Sequence, residues 1–196
     1  MARFAGIHPD VSVGLQEGDI ATLQRALVIG ALELALIYDL ALSSEITREP
    51  LAALEPYAVL PAKHPLASRK HVPIAALASE PFILLDLPQS REYFLAIFLA
   101  YGIEPTVRYA APSIEMVRGL VAQGHGVGLL NIRPAGDEAY DGSALAYRPL
   151  EEDAPPLRIV LARPAQARPT RAAQALITCA KDYFARARAC NACIGR

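Results

Sequence analysis

The stretch "AQGHGVGLL", residues 122–130, places Gly124, Gly126 and Gly128 at every second position. Such spacing suits a phosphate-cradling loop or a junction between two structural elements. A dinucleotide loop needs a strand before the glycines and a helix after them, so that the helix N-terminus faces the pyrophosphate. Here the order is reversed. "SIEMVRGLVAQ" comes first, with Ile114, Val117, Leu120 and Val121 at helical spacing and Ser113 as its N-cap. "VGLLNI" follows, short, apolar and strand-like. Gly124 therefore reads as the residue just past a helix C-terminus, where left-handed backbone suits glycine. Gly126 and Gly128 let a buried strand pass close to its neighbours. No Walker lysine accompanies them, so the stretch reads as a helix–glycine–strand junction.

Working outward, "PFILLDL" (81–87) and "PTVRYA" (105–110) predict strands, and "SREYFLAIFLAYG" (90–102) predicts a helix with a stripe of Phe94, Ile97, Phe98 and Tyr101. "PIAALASE" predicts a short helix, and "ALAYRPL" (144–150) and "LRIVLARP" (157–164) predict strands. "TRAAQALITCAKDYFARAR" (170–188) predicts the last helix. Nearer the N-terminus, "VSVGLQ" (11–16) alternates as a strand, "GDIATLQRALVIG" reads as a helix ending at Gly30, and "LELALIYD" (32–39) as a buried strand. Strand, helix, strand with short joints predicts a parallel βαβ unit. "TREPLAALEP", with Glu49 and Glu55, reads as a solvated linker. The two α/β regions are expected to join near "LPAKHP", and a helix remains after the second, giving two lobes with two crossovers.

Apolar residues make up 53% of the 196, charged residues 20%, and the formal net charge is −1. That composition fits a soluble folded protein and not a disordered one, and the charge argues against a nucleic-acid-binding face. "LALIYDLAL" is too short to span a membrane and contains Asp39. "MARFAGIHPD" lacks the apolar core of a signal peptide, so a cytoplasmic location is expected. Three cysteines, Cys179, Cys190 and Cys193, fit a reducing compartment. "CNAC" at 190–193 has redox or zinc-knuckle spacing, but without a second pair or a nearby histidine it reads as a tail with free thiols. The four histidines are scattered, and no G-x-S-x-G occurs. Neither a metal site, a cofactor nor an enzymatic activity is expected.

Several pieces, in order, resemble the effector-binding domain of LysR-type transcriptional regulators. They are "HPDVSVGLQEGD", "LVIGALELALIYD", "LPAKHPLA", "ALASEPFILL" and "YGIEPTVRYAAPSIEMVRGLVAQGHGVGLL", and the likeness runs to about Phe184. The resemblance implies two Rossmann-like lobes of the type II periplasmic-binding-protein kind. Lobe I would comprise 1–61 and 159–196, and lobe II 62–158. It also implies that the family's winged helix-turn-helix and first strand are missing before Met1, leaving the first lobe incomplete. A small-molecule effector would bind, and lobe closure would rearrange a homodimer. DNA binding by this chain alone and membrane association are not expected. The other readings are a transporter's solute-binding protein and a small enzyme.

The resemblance places Pro88, Gln89 and Ser90 on the effector cleft. From the residues alone, Ser90 is a helix N-cap whose hydroxyl, with the free N–H groups beside it, suits an anionic or polar ligand. Ser113 repeats that pattern as a cap or a ligand group. Gly18, Asp19 and Ile20 are implied at the cleft as well. Asp19 would disfavour a carboxylate there, or would cap the helix starting near Ile20. Tyr38 ends a strand facing the cleft and offers a ring face and a donor, or packs. Asn131 ends the strand after the glycines, to bond a ligand or close a turn.

Overall fold

The computed structural model describes residues 1–134 and 136–190, with side chains described to residue 186. The "CNAC" segment thus lies outside the described side chains. The described residues divide into two compact units, Met1–Ala53 with 158–190, and Leu54–Leu157.

The second unit is built on a five-stranded sheet in the order β5-β4-β6-β3-β7. Its strands are β3 (Tyr57–Pro61), β4 (Phe82–Leu85), β5 (Val107–Ala111), β6 (Val127–Leu130) and β7 (Leu145–Pro149). β4 runs parallel to both β5 and β6, while β3 runs antiparallel to β6 and β7. Helices α3 (Ile74–Ala78), α4 (Ser90–Leu99) and α5 (Ile114–Ala122) return the chain between the strands. Every residue of β4 and of β6 is buried, which explains why these strands read as unbroken apolar runs. Phe94, Ile97 and Phe98 pack α4 into this core, whereas Tyr101 stays 42% exposed.

The opening glycines behave as their order predicts. Gly124 has φ +76° and closes α5 with paired bonds, Gly124 N–H to Val121 O at 2.9 Å and His125 N–H to Leu120 O at 3.0 Å. At Gly126 a Cβ would lie 2.1 Å from the Pro81 carbonyl oxygen, and at Gly128 one would lie 3.1 Å from a Val117 methyl. The backbone crossing there leaves no room for a side chain.

The first unit holds a three-stranded sheet in the order β1-β8-β2. Its strands are β1 (Ala35–Tyr38), β2 (Ile46–Leu54) and β8 (Leu157–Pro164). Val160 and Ala162 of β8 join Leu23 and Leu27 of α2 (Ile20–Val28) in one cluster. Leu161 points the other way, to Ile177 of α6 (Arg171–Cys190). The two-residue period of β8 thus supplies both faces. A short helix α1 (Ala2–Ile7) buries Phe4.

Here three expectations fail. Residues 11–16 form no strand, because among the described residues no strand pairs with them. Without that strand the expected parallel βαβ unit does not form, and β1 instead pairs antiparallel with β8. The supposed linker is strand β2, in which Glu49 is ion-paired to Arg163 and Lys181 rather than solvated. One boundary also moves: β3 pairs within the five-stranded sheet, so residues 54–61 sit with the second unit and not in a first lobe of 1–61.

Candidate functional site

Within the second unit, three adjacent parallel strands end together. Leu85 of β4 is in register with Ala111 of β5, and β6 lies on the other side of β4. The turns leaving these strand ends carry Pro88–Ser90, Ser113 and Asn131. The topology therefore brings five of the candidate residues to one end of one sheet. Two helix N-termini open at that same end, and the dipole of each favours negative charge or acceptor atoms.

The turn after β4 is tight. The Leu87 carbonyl accepts from Ser90 N–H at 3.0 Å and from Arg91 N–H at 3.2 Å. This forces Gln89 into left-handed backbone, φ +64°, a conformation that costs a non-glycine residue about 1 kcal/mol. The cap of α4 is thus Gln89, and Ser90 is the first helical residue, correcting the expected Ser90 cap by one position. Ser90 is buried, Pro88 is exposed, and the Gln89 Oε1 is buried with no hydrogen-bond partner among the described residues. Asp86 and Arg91 form an ion pair at 3.2 Å across the turn. Strain and an unsatisfied acceptor at one turn are the kind of cost that persists where a site needs it.

Ser113 does cap α5, its Oγ accepting from Met116 N–H at 3.2 Å. Asn131 is only 4% exposed, and its Nδ2 has no hydrogen-bond partner among the described residues. Its loop is held from beneath. Arg118, 4% exposed on α5, donates to the Tyr147 hydroxyl at 3.0 Å and to the carbonyls of Gly136 at 3.3 Å and Glu138 at 2.6 Å, and pairs with Glu115. The Tyr57 hydroxyl donates to the Ile132 carbonyl at 2.5 Å. Burial pushes that phenol far above the usual tyrosine range. Arg133 lies over the Tyr147 ring at 4.7 Å. The sequence reading missed this clamp. Its one local signal was the Glu115/Arg118 spacing on a helix.

The remaining candidates belong to the first unit. Asp19 caps α2, accepting from Thr22 N–H at 2.7 Å, and that bond lowers its pKa. Gly18 needs no glycine for space, since a Cβ there would meet Thr22 Cγ2 at an ordinary 3.5 Å. Ile20 packs against the α2 cluster. Tyr38 is half-buried at the end of β1, and burial raises its phenol. A cavity of about 260 Å³ lies between α1 (Arg3, Ile7) with His8 and α6 (Thr178, Cys179, Asp182); none of the candidate residues lines it. Among the described residues no cluster of His, Cys, Asp and Glu could hold a metal, and no helix is long and apolar enough to cross a membrane.

The model of the LysR substrate binding domain matches residues 1–185. The HTH-type transcriptional regulator YnfL of Escherichia coli strain K12 is 28% identical over 163 residues, covering 79% of this chain and 52% of its own length. The chain thus spans about half the length of the curated relatives it matches. HinK, a LysR family transcriptional regulator of Pseudomonas aeruginosa, superimposes with a TM-score of 0.89 at 34% identity, covering 93% of this chain and 64% of that one. The BenM effector-binding domain with benzoate shares the fold, TM-score 0.81 at 21% identity, with 94% of this chain and 84% of that chain covered.

Proposed function

For this chain, which belongs to the LysR substrate-binding-domain family, we propose a role as the effector-sensing part of a transcriptional regulator. A small molecule would bind at the strand ends of the second unit, contacted by Pro88, Gln89, Ser90, Ser113 and Asn131. Gly18, Asp19, Ile20 and Tyr38 of the first unit are proposed, from the family resemblance, as further effector contacts. The observation that carries the reading is the convergence of a strained Gln89 turn, a buried Ser90 and a buried Asn131 whose Nδ2 has no partner among the described residues, at one end of three parallel strands. Ligands in open α/β sheets bind at such strand ends. That BenM holds benzoate in the same fold supports it by analogy.

The response would be a shift between two arrangements of the two units, each acting as a lobe, read out through a homodimer in the cytoplasm. DNA contact would be made elsewhere in the regulator and not by this chain, whose net charge is −1. No enzymatic step is assigned to it. The relatives are named as regulators, and nothing favours a transporter's solute-binding protein.

A thermal-shift screen of small carboxylates, phenols and polar metabolites tests the reading, since a selective ligand raises the melting temperature. Ser90→Ala is expected to weaken the best ligand about tenfold, losing one desolvated hydrogen bond, while the free protein melts within a few degrees of wild type. A ligand bound equally well by Ser90→Ala, and seen elsewhere, refutes the site. Light scattering at micromolar concentration is expected to show a dimer, and a low-salt gel shift no DNA binding.

A further inference from the structure

The turns leaving β4, β5 and β6 hold no unengaged cation among the described residues. Residues 86–138 contain four arginines and no lysine. Arg91 is ion-paired to Asp86 at 3.2 Å, Arg133 to Asp137 at 2.8 Å, and the buried Arg118 to Glu115. Arg108 lies near the opposite end of β5, where its guanidinium reaches the His125 carbonyl at 3.5 Å. At the head of α4 a carboxylate is even left over: Glu92, exposed in the first turn, forms no ion pair among the described residues.

The helix N-termini at this end offer an anion less than their dipoles alone would. At α4 the first two N–H groups, of Ser90 and Arg91, are both held by the Leu87 carbonyl. At α5 the Ser113 hydroxyl holds the Met116 N–H at 3.2 Å. Each helix also carries a carboxylate in its first turn, Glu92 and Glu115, which answers the dipole as a bound anion would. The first-unit residues proposed as contacts add one charge, and it is negative, the Asp19 carboxylate. A buried charge is costly unless it is paired. A carboxylate effector would meet no free cation among the described residues of this end.

What stays open at the strand ends is neutral. Asn131 is 4% exposed, and its Nδ2 is a donor with no partner among the described residues. The Gln89 Oε1 is a buried acceptor in the same condition. Ser90 adds a buried hydroxyl, which can donate or accept. A ligand that left these groups unpaired would forfeit the cost of their desolvation. It must therefore bring an acceptor for Asn131 and a donor for Gln89. We propose that the effector is an uncharged polar molecule, bearing the acceptor and donor that a primary carboxamide combines in one group, and that the carboxylate of the same skeleton is rejected. This rests on the strand-end reading of the site and narrows it to a chemical class.

The test compares matched pairs by thermal shift and calorimetry on the intact chain at neutral pH, where the acids are ionised. Benzamide is set against benzoate, nicotinamide against nicotinate, and propionamide against propionate. At least one amide is expected to bind, about tenfold or more tightly than its acid, because a site built for a donor rejects the analogue that lacks one. Glu92→Arg, at an exposed position, turns the leftover carboxylate into a cation. It is expected to improve the acid about threefold relative to its amide, the size of a charge effect at a helix N-terminus. An acid that binds as tightly as its amide, or a ratio unchanged in Glu92→Arg, overturns the proposal. Silence from every pair overturns it too, while the effector reading stands if another ligand of the wider screen binds at the Ser90 turn. An amide that binds but is seen away from that turn counts against both.

Discussion

Gly126→Ala offers a sharp test of the backbone crossing at the heart of the second unit. The new methyl would be placed 2.1 Å from the Pro81 carbonyl oxygen, a backbone atom that no rotamer change can move. That same oxygen accepts from Val127 N–H at 2.9 Å, the bond that starts the β4–β6 pairing. Relieving the overlap must push the strands apart and stretch this bond. Overpacking of a rigid site costs about 1–3 kcal/mol, and a lost ladder bond about 1 kcal/mol more. A loss of about 3 kcal/mol, at about 2–4 °C per kcal/mol for a chain of this length, lowers the melting temperature by about 6–12 °C. Gly124→Ala is the matched control. It also has positive φ, but a Cβ there meets nothing within 4 Å, so only the left-handed penalty of about 1 kcal/mol applies. Thermal and urea unfolding of the two variants give the comparison. If Gly124→Ala proves as damaging as Gly126→Ala, backbone conformation and not crowding governs this stretch, and the steric argument is wrong.

Two further outcomes follow from the same geometry. Tyr57, Tyr93 and Tyr147 all have phenols raised by burial, so the unfolded chain ionises first, near the ordinary tyrosine value of about 10, and the folded state only above it. Stability is therefore expected to be level below pH about 10 and to fall as pH rises towards 12 and beyond; a melting temperature that holds level to pH 12 would show that these phenols are not buried in solution. Arg118→Met would leave the Tyr147 hydroxyl and the Gly136 and Glu138 carbonyls without their donor, and is expected to cost about 2–4 kcal/mol in urea unfolding; a loss under about 0.5 kcal/mol would show the clamp to be ornamental.

Local rules read the second unit well because its strands are continuous apolar runs bounded by helix caps and obligatory glycines. The order of helix, Gly124 and strand identified the junction without any tertiary information. The first unit was harder. Val11, Val13 and Leu15 alternate as a strand would, but alternation yields a strand only where a partner edge exists. Charge misled at Glu49, whose partners Arg163 and Lys181 are more than a hundred positions away in the chain. At the candidate site, strand ends and caps located Ser113, Asn131 and the Ser90 turn to within one residue. The left-handed Gln89 follows from the way the Leu87 carbonyl closes its turn, and the Arg118 clamp depends on carbonyls distant in sequence; no periodicity announces either.

The strand order β1-β8-β2 has a consequence for how the chain is made. β8 is the central strand of the first unit, yet it follows every other described strand along the chain. Until β8 emerges, β1 and β2, which flank it in the finished sheet, have no described strand to pair with there, and their unpaired N–H and C=O groups stay open to other chains. The second unit, by contrast, draws on one uninterrupted segment, Leu54–Leu157, and can close its sheet while the final helix is still being synthesised. Synthesis thus proceeds with a finished half carrying an unfinished one, and completion waits on contacts between residues near 36 and near 161. Such late, long-range closure is slow. A nascent-chain chaperone would find its substrate in residues 20–53 and not in the sheet that bears the candidate site.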